Sequence, residues 1–257
     1  MNKSQTSAPI VELPQPSVEP SPRWVRVKAG PETLADSKET QLLLQYGPRS
    51  LPTYFFPAKA VQMARLTNPR DQGEKHFWDV LMPGQRITRA AWSYRKPPAQ
   101  LAALAGHISF TWQHESISWF EEEEAVFAHA RDPYKRVDAL PSSRYVQVQV
   151  DGQIIAETRR PTLLFETYLP TRYYIPAPDV NMDYLLPSNT HSACPYKGWA
   201  NYSSVKVGDK LLPDIVWSYP EPVPENPKIK GLLAFLNEKV DVVVDGVLQE
   251  RPRTPWS

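Results

Sequence analysis

Residues 144–156 read RYVQVQVDGQIIA: Val146, Val148 and Val150 alternate with Gln147 and Gln149, and Asp151-Gly152 intervenes before Ile154-Ile155-Ala156. A strand buried on one face turns every second side chain inward, so this alternation predicts a half-buried strand. An Asp-Gly pair between two such runs predicts a tight hairpin turn, whose central residues need positive φ. The same pattern returns in Val205-Lys206-Val207, Gly208-Asp209 and Leu211-Leu212, and in Val240, Val242 and Val244 closed by Asp245-Gly246. Helical signals are confined to single turns near Lys59 to Leu66, near Pro178 to Leu185 and at Ala99 to Ala105. The expected class is mostly β.

The stretch also has an earlier copy. Arg23, Val25, Val27, Ala35, Leu42 and Leu43 recur 121 residues later as Arg144, Val146, Val148, Ala156, Leu163 and Leu164. Tyr54, Pro57, Val61, Met63 and Leu66 recur at a shift of 119 as Tyr173, Pro176, Val180, Met182 and Leu185. Gly73, Val80, Trp92-Ser93-Tyr94, Gly106 and Phe110 recur at a shift of 125 as Gly198, Val205, Trp217-Ser218-Tyr219, Gly231 and Phe235. Matches that stay collinear with small changes of shift are the mark of duplication followed by loop insertion. The expected layout is a Pro/Ser-rich arm (1–22), a first β repeat (23–124), a polar linker (125–143), a second β repeat (144–250) and a tail (251–257).

With 41% hydrophobic and 22% charged residues, the 257-residue chain has the composition of a globular protein with a real core. A net charge of +1 supplies no basic excess for nucleic acid or acidic membrane surfaces. Cys194 is the single cysteine, which excludes an internal disulfide and cysteine-pair zinc sites and fits a reducing compartment. The N-terminus carries no apolar core of a signal peptide and no run of 18 apolar residues occurs, so a cytoplasmic location is expected. Prolines number 28 against 10 glycines, which predicts stiff loops.

The linker is unusual. Glu121 to Glu124 reads as a solvated face or loop, but His129, Arg131, Asp132, Tyr134, Lys135, Arg136 and Asp138 then crowd ten residues, a density that a spacer does not need.

The run Cys194-Pro195-Tyr196-Lys197-Gly198, with Tyr173-Tyr174-Ile175-Pro176 and Asp179-Val180 before it and Trp217-Ser218-Tyr219 after it, resembles the signature of domain of unknown function family 427. The resemblance to the tandem form of that family extends to Arg131-Asp132-Pro133-Tyr134, Arg136-Val137-Asp138 and Asn237-Glu238-Lys239-Val240-Asp241. It implies two strongly curved antiparallel β domains of the β-tent type. A nucleotidyltransferase-like label attached to the family finds no support in the residues: there is no Gly-x-Gly-x-x-Gly and no Gly-x-x-x-x-Gly-Lys to cradle phosphates.

Only the second copy has Cys-Pro-Tyr-Lys; the first has Pro69-Arg70-Asp71-Gln72 before Gly73. Chemistry is therefore expected in the second repeat, near the linker. Cys194 is a candidate nucleophile if Lys197 or His191 lowers its pKa, against the commoner role of a small buried hydrophobe. Lys197 is a candidate anion anchor or Schiff-base amine, and His129 a candidate proton carrier. Tyr173, Tyr174, Tyr196, Tyr202, Tyr219 and Trp217 supply aromatic lining, though the two adjacent tyrosines face opposite ways on a strand, and core packing is the favoured role of Trp217 because Trp-Ser-Tyr occurs in both copies. Arg131, Tyr134 and Arg136 are candidate ligand contacts, or the arginines pair with Asp132 and Asp138 to fix the linker. The five histidines show no metal-binding spacing, so neither metal nor cofactor is expected. Two functions follow: a metal-independent enzyme acting on a small metabolite by acid/base or covalent chemistry, or a non-catalytic module binding a small molecule or peptide. Partners are thus expected to be small molecules, with no nucleic acid and no membrane; the sequence leaves the oligomeric state open.

Overall fold

A computed structural model describes residues 12–47 and 50–254. The chain divides into two compact units, one built on Pro14–Asp132 and one on the residues from Pro133 onward. The first unit contains, among the described residues, β1 (Ser17–Pro20), β2 (Val25–Ala29), β3 (Glu32–Ser37), β4 (Gln41–Leu44), β5 (Thr53–Pro57), β6 (Leu66–Gln72), β7 (Lys75–Met82), β8 (Gln85–Tyr94), β9 (His107–Phe110), β10 (Ile117–Glu121) and β11 (Glu124–Val126). The second contains β12 (Val137–Pro141), β13 (Val146–Val150), β14 (Gln153–Thr158), β15 (Thr162–Glu166), β16 (Arg172–Ile175), β17 (Leu185–Cys194), β18 (Gly198–Val207), β19 (Lys210–Ser218), β20 (Leu233–Phe235), β21 (Asp241–Val244) and β22 (Val247–Leu248).

The duplication is visible in the topology. A seven-stranded sheet runs β1-β4-β5-β9-β8-β7-β6 in the first unit and β12-β15-β16-β20-β19-β18-β17 in the second. A four-stranded sheet runs β11-β10-β2-β3 in the first, and β22-β21-β13-β14 in the second. Every strand keeps its place with its number raised by eleven. The sheets are antiparallel and do not close into a barrel. Helical structure is limited to short 3₁₀ turns, including Ala58–Ala60, Met63–Arg65 and Ala99–Leu104, with Ala177–Asp179 and Met182–Tyr184 as counterparts of the first two.

Alternation explains the strands. In β2 and β13 the first, third and fifth residues are buried and the others half-buried. Asp151 and Gly152 have φ of 50° and 79°, the hairpin turn expected of Asp-Gly. Val25, Val27, Tyr54, Phe56 and Trp119 close the main core of the first unit, and Val146, Val148, Ile175, Val216 and Phe235 that of the second. A smaller cluster forms on the opposite face of each large sheet. Leu43 and Phe55 pack there with Leu101 and Leu104; in the second unit Leu164 and Tyr174 pack with Ile229 and Tyr219. The seven-stranded sheet is thus apolar on both faces, which is why Leu42-Leu43 and Leu163-Leu164 break the alternation.

Both repeats begin earlier than their periodicity suggests. Ser17–Pro20, expected in a mobile arm, is an edge strand paired with β4 in register Ser17 to Leu44. Val137–Pro141, expected in the linker, is the equivalent edge strand on β15. Proline is tolerated there because an edge strand leaves one row of N–H groups unpaired. The rest of the expected arm, residues 1–11, and positions 255–257 of the expected tail lie outside the described residues. The four glutamates are a hairpin tip: Glu121 ends β10, Glu122 turns at φ 50° and Glu124 begins β11. Among the described residues no helix is long and apolar enough to cross a membrane.

Candidate ligand site

The Cys-Pro-Tyr-Lys-Gly run is a hairpin loop. Cys194 ends β17 opposite Gly198, which starts β18, and the Lys197 amide donates to the Cys194 carbonyl at 3.2 Å. The segment 221–226 clasps it: the Val223 amide donates to the Lys197 carbonyl (3.1 Å) and Asn226 Nδ2 to the Tyr196 carbonyl (2.8 Å). Gly198 has φ 109°, and a Cβ there would stand 2.9 Å from the Glu221 carbonyl oxygen. Glycine is required because the protein's own backbone passes that close.

This clasp fixes where the Lys197 side chain goes. It enters the second unit and is 11% exposed, donating from Nζ to Glu166 Oε2. Glu166 is the last residue of β15, and its other oxygen lies 3.1 Å from Lys135 Nζ. All three side chains are buried, and two ammonium groups share one carboxylate. Burial opposes the charge on Lys197, yet the Glu166 carboxylate, with smaller contributions from Cys194, Tyr219 and Tyr174, holds its pKa well above the ordinary lysine value. Burial likewise opposes the Glu166 charge, but Lys197 and Lys135 together hold its pKa below normal.

Lys197 and Glu166 reach a cavity of about 330 Å³ whose wall also includes Tyr174, Tyr202, Trp217 and Tyr219. The Trp217 indole N–H donates to Tyr174 Oη at 3.1 Å. Burial pushes the Tyr174 phenol up to about 12 and raises Tyr219 further, so both are protonated near neutral pH. Arg172 lines the cavity while both its terminal nitrogens bind Glu238, at 2.6 and 2.7 Å. Asp214 adds a carboxylate held by the Thr190 hydroxyl at 2.7 Å.

The expected site residues separate. Lys197, Tyr174 and Trp217 meet in this cavity, and Trp217 also packs against the smaller apolar cluster. Tyr173 takes the other face of β16 and packs on the main core. Cys194 is half-buried and stands outside the cavity wall, although its thiol is felt electrostatically at Lys197. Tyr196 places its ring 5.6 Å from Lys135 Nζ. His191 is exposed, with Nδ1 3.0 Å from Asn201 Oδ1. His129 belongs to the first unit, where it lines a different cavity and contacts the Ala130 carbonyl at 2.7 Å. Arg136 pairs with Asp138 at 2.7 Å on the surface, and Asp132 accepts from the Tyr46 hydroxyl. Tyr134 is 66% exposed and Arg131 half-buried; neither is in the cavity wall.

Glu166, Lys135, Arg172 and Asp214 had no individual signal in the sequence. Glu166 sits in Leu-Leu-Phe-Glu-Thr, where a charge ending an apolar strand reads as a solvent-facing terminus. Lys135 was one of several linker charges, and only the fold shows that it alone turns into the second unit's interior. Among the described residues no group of three His, Cys, Asp or Glu side chains is placed to hold a metal ion.

No curated protein matches the chain. A family model described as a domain of unknown function, DUF427, matches residues 17–122 and again 138–246. Each match opens within the first strand of its repeat, β1 and β12, and together they span most of the chain, which therefore belongs to the DUF427 family as two tandem copies.

Proposed function

We propose that the second repeat is a receptor for a small polar metabolite, which presents an anionic or strongly hydrogen-bond-accepting group to Lys197. The observation that carries this reading is the buried Lys135–Glu166–Lys197 cluster in and behind the wall of an aromatic-lined cavity. Lys197 and Glu166 both reach the cavity wall, in surroundings where a polar or charged ligand group interacts with them more strongly than in water. The phenols of Tyr174 and Tyr219 add protonated donors, and Asp214 offers an acceptor to a donor group on the ligand.

Binding suits these groups better than acid/base turnover. A Schiff base needs a neutral amine, and Glu166 stabilises the charged one. A general acid or base works best with a pKa near the operating pH, whereas Lys197 and both phenols are shifted away from it. A covalent reading would rest on Cys194, which is half-buried at the start of the Lys197 loop. The lone cysteine would suit a cytoplasmic setting for either reading.

The test is a thermal-shift screen of small carboxylates and polar metabolites, followed by calorimetry and mass spectrometry of the mixture. A hit should lose about tenfold or more in affinity in Lys197→Met. That variant leaves Lys135 paired with Glu166, so its unfolding temperature should stay within a few degrees. Binding unaffected by Lys197→Met rejects the reading. Product formation that disappears in Cys194→Ser replaces it with covalent catalysis.

A further inference from the structure

The first repeat, which has no Cys-Pro-Tyr-Lys, nevertheless keeps a cavity at the matching place, with a volume of about 590 Å³. The correspondence is one of register. Trp92 on β8 faces Phe77 on β7, and Trp217 on β19 faces Tyr202 on β18. Trp92 stands edge-on to Phe55 with ring centres 4.8 Å apart, and Trp217 edge-on to Tyr174 at 6.5 Å. The frame is shared and the chemistry is not. Gln45 replaces Glu166, Arg89 replaces Asp214, and Lys75 stands where the second repeat has Ala200.

The wall of the first cavity therefore contains two cations and no carboxylate. Arg89 and Asp214 both occupy left-handed backbone, at φ 54° and 53°. Their amides are held by the same neighbour position, Arg89 by Asp79 Oδ1 (2.8 Å) and Asp214 by Ser204 Oγ (3.1 Å). One specified bulge thus points a cation into one cavity and an anion into the other. The Arg89 guanidinium lies over the Phe77 ring at 4.2 Å, and Lys75 Nζ over the Trp92 ring at 4.0 Å. Among the described residues neither has a carboxylate within ion-pair distance. Burial lowers the Lys75 pKa, offset in part by Glu74, so its ammonium sits in a place that water does not fully serve. Trp112, its indole N–H given to Thr53 Oγ1 at 2.8 Å, and Phe110 complete an aromatic wall.

We propose that this cavity is a second ligand site, selective for a small planar organic carboxylate: Lys75 and Arg89 receive the carboxylate and the aromatic wall receives the planar body. Paired cations over aromatic faces bind an anion without leaving either charge unsatisfied, and aromatic faces beside convergent polar groups supply both the packing and the orientation that a metabolite site needs.

Indole-3-acetate is a suitable probe, with indole-3-acetamide as its neutral match, each titrated calorimetrically into the full chain. Saturable binding of the acetate, with the acetamide about tenfold weaker or worse, is expected. Lys75→Met and Arg89→Asn should each reduce acetate affinity by a similar factor. Asparagine tolerates left-handed backbone, and neither side chain is in the core, so an unchanged unfolding temperature separates lost affinity from lost folding. Equal affinity for acetate and acetamide, no saturable binding up to millimolar concentration, or affinity unchanged in both variants would each overturn the proposal.

Discussion

Glu166 shows how one side chain is both buried and charged. Its carboxylate is 4% exposed and is matched by two ammoniums, so removing its charge strands both. Glu166→Gln should cost about 3–5 kcal/mol, as removal of one partner from a buried ionic cluster typically does. For a domain of this size that lowers the unfolding temperature by roughly 10 °C or more, measurable by calorimetry. The pH dependence follows from the sign of the shift. The folded pKa of Glu166 lies below the ordinary value of about 4.3, so its stabilisation is complete above that value and is lost as pH falls through the lowered one. Lys197 behaves oppositely: its pKa is raised, so its contribution is complete below about 10.4 and disappears only at higher pH. The wild-type chain should therefore lose more stability than Glu166→Gln between neutral pH and the acid range. Equal acid sensitivity in the two would contradict the charged cluster. Lys197 was legible beforehand because Cys-Pro-Tyr-Lys-Gly is a dense and unusual run. Glu166 was not, because the partner that explains it is 31 residues away and no local pattern joins them.

At the scale of elements, hairpins with Asp-Gly turns were readable because the turn and the alternation are both short-range properties. The edge strands β1 and β12 were not. Ser-Val-Glu-Pro and Val-Asp-Ala-Leu-Pro carry prolines and few buried side chains, the composition of a loop, and they are strands only because β4 and β15 present free edges to them. Val18 packs on the Leu43, Phe55, Leu101 and Leu104 cluster. A chain starting at Arg23 should therefore expose β4, unfold several degrees below the full chain, and show faster amide exchange at Leu42 and Leu44. An unchanged melting curve would mean that β1 contributes nothing to the first sheet. The adjacent leucines of β4 and β15 illustrate the same limit: two successive buried side chains imply a strand covered on both faces, but the covering elements become visible only in the folded chain.

For the whole molecule, duplication was the most legible feature, since collinear matches survive even where individual residues drift. What drifted is the informative part. Each unit has its own main core and its own smaller apolar cluster. Residues 133–254 produced alone should thus give a folded β protein with dispersed amide resonances and cooperative unfolding; a molten or aggregated product would show that the unit does not carry its own stability. Chemistry is expected in the second repeat because only that copy has Cys-Pro-Tyr-Lys. Lys75 and Arg89 are marked by no motif, and only the strand register brings Lys75 over Trp92 and Arg89 over Phe77. The bulge at Arg89 and Asp214 has a practical corollary. Because its backbone geometry is set by a neighbour's hydrogen bond rather than by its own side chain, the residue there can be exchanged without rebuilding the sheet. A single codon then sets the sign of the charge presented there, and Arg89→Asp or Asp214→Arg would give an engineer a way to exchange it between the two cavities.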